Sequence, residues 1–194
     1  MLLPVATLAA GASPSAADVL RQAADALKNA PSVEASFTAS SGTSTVSGSI
    51  LLSGNRFRIV TPDLTTWFDG KTQWAYSPAA EEVNISEPTP DELSQINPFA
   101  IIAEMQTGYT PRRLKSAAGT DKIRLTPKGK SEYREITATF NAGTKFPSEI
   151  VITTTDNATT HITIRNIARG KKPSDSAFRF NPSQYPGVET VDLR

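Results

Sequence analysis

The run from Gly48 to Tyr76, GSILLSGNRFRIVTPDLTTWFDGKTQWAY, constrains the fold of this chain most strongly. Apolar side chains recur there at every second position, and polar or charged side chains such as Arg56 and Arg58 occupy the positions between them. That period of two is typical of strands with one buried and one solvated face. The run therefore predicts four consecutive antiparallel strands, whose buried face carries Ile50, Leu52, Phe57 and Ile59.

Short turn sequences separate these strands. Ser53-Gly54-Asn55 and Thr61-Pro62-Asp63 contain the residues that favour chain reversal. Asp69-Gly70 predicts a two-residue hairpin turn, because both positions of such a turn need positive φ angles. A meander of curved strands follows from this arrangement.

The strand pattern continues through most of the chain. Many short strands at nearly regular spacing favour an antiparallel barrel or curved sheet over a repeat protein or a βαβ fold. The predicted fold class is α+β, mainly β. The first strand of the run extends over residues 45–52, and further strands are predicted at residues 33–40, 82–85, 122–126, 132–140, 148–155, 159–167 and 177–180.

Three segments carry helix signals. Ser15 to Asp18 forms a capping box ahead of a helical apolar pattern over residues 16–29. Thr89 to Glu92 forms a second capping box with proline at the first helical position. Residues 99–107 form a short apolar helix that must lie against an apolar surface and carries Phe99, Ile101, Ile102 and Met105.

Composition excludes several classes of partner and site. Twenty basic and nineteen acidic residues nearly cancel, so the chain has no field that would attract nucleic acid. The absence of cysteine excludes disulfides, thiolate catalysis, zinc-thiolate sites and lipid attachment to cysteine. The length of 194 residues suits one domain.

The amino terminus predicts export. Residues 2–10 are apolar and lead into Ala10-Gly11-Ala12, a pattern that signal peptidase cleaves after. The first basic residue is Arg21, so the segment is either a truncated signal or an apolar tail. The expected organisation is a signal-peptide remnant at residues 1–12 and a single domain at 13–194.

Candidate catalytic groups are few. His161, the single histidine, alternates with Ile162 and Ile164 and is expected on a solvated sheet face. Gly70-Lys71-Thr72 lacks the earlier glycine of a phosphate loop, and Glu81-Glu82 suits a solvated turn. The sequence therefore predicts a protein that is not an enzyme, with no catalytic residue, no metal site and no cofactor.

The order and spacing of short motifs resemble the LolA-type periplasmic lipoprotein carriers from about Ala17 to the end of the chain. These motifs are V-E-A-S-F, G-S-I-L-L, R-F-R-I-V-T-P, D-G-K-T-Q-W-A-Y, N-P-F-A-I-I-A, L-T-P-K and F-R-F-N-P. The resemblance implies an unclosed antiparallel barrel, lidded by an amino-terminal helix and mid-chain helices. It also implies a monomeric, exported periplasmic carrier that takes acylated lipoproteins from an inner-membrane ABC transporter towards the outer membrane. The resemblance leaves open whether an acceptor lipoprotein receives the cargo at the outer membrane.

The resemblance also implies an apolar cavity beneath the lid. Phe57 matches the family's cavity phenylalanine, and Leu27 matches a leucine of the lid. Each of these residues would equally suit ordinary core packing, since a cavity lining and a core differ only in whether the space is filled. The implied ligand-binding residues are Leu27, Ile50, Leu52, Phe57, Ile59, Phe99, Ile101, Ile102 and Met105.

One departure from the family concerns the latch of the lid. The family commonly places an arginine at the end of the second strand, where this chain has Ser53-Gly54-Asn55. The alternative functions that stay open are a module that binds another hydrophobic ligand or senses lipoproteins, and a lipid-modifying enzyme. The missing set of nucleophile, histidine and acid weighs against the enzyme.

Overall fold

The computed structural model describes residues 13–90, 92, 93, 97, 99, 102, 105 and 107–194. Its twelve strands form one sheet, which curves into an unclosed barrel. The strand order across the sheet is β12-β6-β5-β4-β3-β2-β1-β11-β10-β9-β8-β7. The elements are α1 (Ala16–Lys28), β1 (Ser32–Ser41), β2 (Ser44–Ser53), β3 (Arg56–Val60), β4 (Thr65–Phe68), β5 (Gln73–Ser77), β6 (Glu82–Ser86), β7 (Tyr109–Leu114), β8 (Thr120–Pro127), β9 (Tyr133–Asn141), β10 (Pro147–Thr154), β11 (Thr159–Gly170) and β12 (Glu189–Asp192).

The four strands predicted from the first run are confirmed as β2 to β5. Ile50 pairs with Ile59 and Leu52 pairs with Phe57, so these side chains share one face of the sheet. That face also packs against α1, and we call it the concave face. The opposite face, which carries Arg58, is the convex face.

The helix predicted at the amino terminus is confirmed as α1 (Ala16–Lys28). The Ser15 hydroxyl accepts from the Asp18 N–H at 3.1 Å and donates to the Asp18 carboxylate at 2.7 Å. These bonds cap the first turn. The pKa of Asp18 is lowered below its ordinary value, mostly by the Arg21 side chain, which donates to the carboxylate, and further by the Ser15 hydroxyl. Val19, Leu20 and Ala23 are buried on one side of the helix.

The second capping box is also confirmed. The Thr89 N–H donates to the Glu92 carboxylate at 2.8 Å, and the Leu93 N–H donates to the Thr89 carbonyl at 3.0 Å. Most of the helix predicted at residues 99–107 lies outside the described residues, as do the predicted signal segment at residues 1–12 and Ile101. Phe99, Ile102 and Met105 are described, and all three are buried.

Two predictions about local structure are wrong. Residues predicted as a strand at 177–180 begin in a 3₁₀-helix, Asp175–Phe178, because this segment crosses the convex face instead of pairing in the sheet. The turn between β4 and β5 spans residues 69–72 and is not a two-residue turn. Gly70 has a φ angle of 104°, while the Asp69 side chain accepts from the N–H groups of Lys71 and Thr72 and so holds the longer loop.

Two strands were not predicted. β7 (Tyr109–Leu114) contains Pro111 and forms one edge of the sheet, where a missing N–H is tolerated. β12 (Glu189–Asp192) forms the other edge and pairs with β6 in parallel. The amino-terminal half of the chain thus lies beside its carboxyl terminus at this edge.

Candidate functional site

The concave face gathers apolar side chains from most strands into one cluster. Phe57 is 2% exposed, and its ring stacks on Phe68 of the neighbouring strand with centroids 5.3 Å apart. Ile50 at 2% and Ile59 at 8% exposure lie beside them. Because the four residues come from three consecutive strands in register, the meander alone fixes this part of the site.

The described part of the mid-chain segment, residues 87–108, covers the cluster from inside the barrel. Ile102 and Met105 are fully buried, and Phe99 is 5% exposed. Leu27 of α1 is half-buried and packs against the same cluster. The structure therefore brings together eight of the nine residues predicted for ligand binding, and the ninth, Ile101, lies outside the described residues.

Helix α1 is fastened to the sheet at both ends. The Arg113 guanidinium donates to the Pro14 carbonyl at 2.8 Å and forms an ion pair with Asp121, whose side chain is 3% exposed. After the helix, the Ser53 hydroxyl donates to the Pro31 carbonyl at 2.8 Å. Sequence reasoning missed Arg113, since nothing local links β7 with the start of α1.

Gly54 lies in the stretch where the resemblance places the latch arginine of the family. This residue has a φ angle of 64°, in the left-handed region that favours glycine. Arg56 and Arg58 point away from Phe57, as alternation predicted. The Arg56 guanidinium lies 4.6 Å from the centre of the Phe178 ring on the convex face.

The convex face carries a second apolar layer that sequence reasoning missed. The C-terminal strap, residues 171–193, crosses this face and places Phe180 and Tyr185 against Trp67 at centroid distances of 5.7 and 5.9 Å. The ring centroids of Tyr76 and Tyr185 lie 4.7 Å apart. We call these four residues the convex cluster. The signal was present in LTTWFDGKTQWAY, where large apolar residues occupy both strand faces.

Groups suited to catalysis do not converge in the described part of the chain. His161 is exposed on β11, as predicted. Among the described residues, no group of three or more histidine, aspartate or glutamate side chains is placed to hold a metal ion. A cleft of about 620 Å³ beside β5 and β6 is lined mainly by polar residues, including Gln73, Glu87 and Arg194. No helix in the described ranges is both long enough and apolar enough to cross a membrane.

Solved structures share this fold at low sequence identity. An uncharacterized conserved protein from Thermus thermophilus has a TM-score of 0.62 and 10% identity, over 90% of this chain and 96% of that one. MucB in the Pseudomonas aeruginosa MucA/MucB complex has a TM-score of 0.50 and 14% identity, over 86% of this chain and 61% of that one. A DUF1329 family protein from Desulfovibrio piger has a TM-score of 0.51 and 13% identity, over 90% of this chain and 100% of that one.

A comparison with curated proteins gives no match. A family model does match, over residues 5–153, and that range contains all nine residues predicted for ligand binding. On this match the chain belongs to the family described as outer membrane lipoprotein carrier protein LolA.

Proposed function

We propose that this protein is a periplasmic carrier that binds the acyl chains of lipoproteins on its concave face. The observation that carries the proposal is the gathering of eight of the nine predicted residues, among them Leu27, Phe57 and Ile102, in one apolar cluster. The cluster draws its predicted residues from the part of the chain that the family model matches. The carrier would move lipoproteins from the inner membrane to the outer membrane.

The energetics of acyl chains support the need for such a site. Burial of each CH₂ group contributes about 0.8 kcal/mol, so a long acyl chain exposed to water costs on the order of 10 kcal/mol. A concave apolar face removes most of that cost. Release at the destination then requires that the affinity be moderate and that the cover can open.

The two covers of the concave face would have different roles. Helix α1 is fixed by Arg113 and Ser53, so it would stay in place while the ligand binds. The mid-chain segment contributes Phe99, Ile102 and Met105 through apolar contacts, which can exchange for contacts with an acyl chain at little net cost. Uptake would therefore displace the mid-chain segment.

Location and partners follow from the same proposal. The protein would be exported, with residues 1–12 as a signal remnant and 13–194 as one carrier domain. It would act as a monomer that receives its cargo from an inner-membrane lipoprotein-releasing ABC transporter. It would deliver the cargo towards the outer membrane without catalysis, whether or not an acceptor lipoprotein receives it there. Amino-terminal sequencing of protein from cell envelopes should find a start near Ser13, and an intact Met1 would contradict export.

The direct test is mass spectrometry of organic extracts from protein purified out of cell envelopes. We expect lipoprotein acyl chains, released together with lipoprotein peptides after proteolysis. A fluorescent fatty acid provides a second measurement with the purified protein. Recovery of no acylated molecule, together with no binding of the fatty acid, would refute the proposed function.

A matched pair of variants tests the location of the site. Phe57→Glu places a charge in the apolar cluster, and we expect the protein to remain folded and to bind the fatty acid at least about tenfold more weakly. Arg58→Glu changes the next residue on the same strand but faces the convex side, so its affinity should match that of the unchanged protein. Circular dichroism melts check both folds. A folded Phe57→Glu variant with full affinity would refute the site.

A second candidate is a module that binds a different hydrophobic ligand or senses lipoproteins in envelope signalling. The fold likeness to MucB, which was solved in complex with MucA, supports keeping this candidate. The same extracts discriminate the two. A free lipid without lipoprotein peptides, or a co-purifying signalling protein, would favour the second candidate.

A further inference from the structure

The two ends of the concave face differ in how they are covered. At one end, the bonds from Arg113 to Pro14 and from Ser53 to Pro31 hold α1 across the barrel. Val33 at the start of β1 is 0% exposed there. The hydrogen-bonded helix closes this end to a ligand.

Exposure rises along β1 and β2 towards the other end. Alternation and strand pairing place Phe37, Ala39 and Val46 on the concave face, beyond Ile50. Ile50 is 2% exposed, Phe37 and Ala39 are half-buried, and Val46 is 37% exposed. Among the residues that the structure describes, the same apolar surface therefore runs from the buried cluster out to solvent. Ile152 of β10 is half-buried at the same end.

Gly48 lies opposite Phe37 on the concave face, between Ile50 and Val46. A Cβ atom at Gly48 would lie 2.8 Å from the tip of the Phe37 ring and 2.4 Å from the Val60 carbonyl oxygen. The glycine therefore lets the Phe37 ring lie against the strand instead of standing in the opening. A larger residue would push the ring towards the space that leads to the cluster.

Other exposed apolar side chains lie at the same end of the sheet. Four large hydrophobic residues are exposed among the described residues, and three of them are Val46, Val60 and Leu64. Val60 ends β3 with its side chain on the convex face, as for Arg58, and Leu64 lies in the turn that precedes β4, so both mark the same end of the sheet without lying on the concave face. Val46 pairs with Ala39, and beyond this pair Ser41 of β1 and Ser44 of β2 face each other at the ends of the two strands. The concave residues Phe37, Ala39 and Val46, with the Ser41 and Ser44 hydroxyls beyond them, suit a hydrocarbon chain whose polar head stays in water.

From these observations we propose that acyl chains enter and leave the concave face through the open end, which is defined by Phe37, Ala39, Val46 and Ile152. The inference rests on the proposed function, because it names the route by which the same ligand reaches the same cluster. Val46 is the outermost residue of this route. An obstacle at Val46 should slow uptake and release together and leave the affinity largely unchanged, since the binding cluster itself is intact.

The cysteine-free sequence allows a direct test. Val46→Cys and Ser47→Cys are made separately in the full chain and modified in the folded state with the same bulky maleimide. The two residues are adjacent on β2, but Ser47 faces the convex side, where its hydroxyl lies 3.0 Å from that of Thr38. Stopped-flow fluorescence then measures the association and dissociation rates of a dansyl-labelled undecanoic acid.

We expect the modified Val46→Cys protein to show both rates reduced at least about tenfold, equal to a barrier increase of about 1.4 kcal/mol, with the dissociation constant changed less than about threefold. The unmodified variant and modified Ser47→Cys should behave like the unchanged protein. Unaltered rates in modified Val46→Cys would overturn the route while leaving the proposed function intact. Failure of the unchanged protein to bind the fatty acid would overturn the proposed function and the route with it.

Discussion

The two faces of β3 and β4 carry two apolar layers that differ in how they are covered. Phe57 and Phe68 face the barrel interior, whereas the alternate residue Trp67 faces outwards into the convex cluster. The C-terminal strap covers the convex layer and is itself paired to the sheet through β12. The concave layer is covered by α1, which Arg113 and Ser53 fasten to the sheet, and by the mid-chain segment, whose Phe99, Ile102 and Met105 pack there through apolar contacts.

The fastening of the strap explains why we assign binding to the concave face. Arg56 and Arg179 form ion pairs with Asp175 and Asp69 at 2.5 and 2.8 Å, one at the 3₁₀-helix and one at the β4–β5 turn. Such contacts must break before anything enters the convex layer. In the mid-chain segment, Phe99, Ile102 and Met105 contact the concave cluster by apolar packing, which permits exchange for another apolar group, so this part of the cover suits a ligand site.

The largest expected effect comes from Trp67→Ala. The change removes the side chain that contacts both Phe180 and Tyr185, and we expect the free energy of unfolding to fall by about 3–5 kcal/mol. Urea unfolding at about 25 °C measures the loss. If the convex cluster is purely structural, the folded fraction of the variant should bind the fluorescent fatty acid with unchanged affinity. A tenfold loss of affinity at normal stability would reverse our assignment of the two faces.

The apolar pattern of the concave face could be predicted from the sequence, whereas the strap that covers the convex face could not. Alternation located the concave residues of β2 and β3, because a period of two needs only neighbouring residues. The strap escaped prediction because Phe178 and Phe180 also alternate, and so imitate a strand. Its place on Trp67 depends on contacts between residues more than a hundred positions apart, which no local pattern encodes.

The two edge strands of the sheet were missed for the same reason, because their contacts also join residues far apart in sequence. β12 was missed because it is four residues long and pairs with a strand from the first half of the chain. Arg113 fell outside every predicted strand, although it lies within β7 and fixes α1. Edge strands and clamps depend on partners far away in sequence, whereas the meander depends on partners that follow one another.

The next effect in size concerns the clamp at the closed end of the concave face. Arg113→Leu leaves the Asp121 carboxylate buried without its cation, and we expect a loss of about 2–3 kcal/mol, reduced from the fully buried case because Arg113 is partly exposed. Hydrogen exchange should accelerate in the first turns of α1. The double variant Arg113→Leu/Asp121→Leu removes both charges and should recover most of the stability. Equal stability of Arg113→Leu and the unchanged protein would show that α1 does not need this clamp.

A smaller effect tests the fastening of the strap at Asp69. Burial raises the pKa of Asp69, but the N–H groups of Thr72 and Lys71 and the Arg179 guanidinium together bring it below its ordinary value of 3.8. A folded-state pKa below the unfolded one means that the stabilisation is complete above the unfolded value and disappears as the pH falls through the folded value. Asp69→Asn should therefore cost about 1 kcal/mol at neutral pH and nothing at strongly acidic pH.

The control for this prediction is Asp63→Asn, at an exposed carboxylate in the turn before β4. Denaturant unfolding of both variants over a series of pH values separates a specific bond from a general change in net charge. A stability difference at Asp69 that persists unchanged into strong acid would contradict the role of the ionised carboxylate in holding the strap.

The smallest effect is expected on the uncovered half of the convex face, at β8 to β10. There Arg124 lies 3.4 Å from Glu135, and Lys122 lies 3.8 Å from Glu149, in pairs that remain partly exposed to water. Exposed ion pairs contribute about 0–1 kcal/mol, since water solvates the separated charges almost as well. Arg124→Gln should thus lower the free energy of unfolding by less than about 1 kcal/mol, and added salt should reduce the difference further. A loss as large as that of Trp67→Ala would mean that a partner or a further segment of chain covers this half as well, and the two halves of the convex face would then be equivalent.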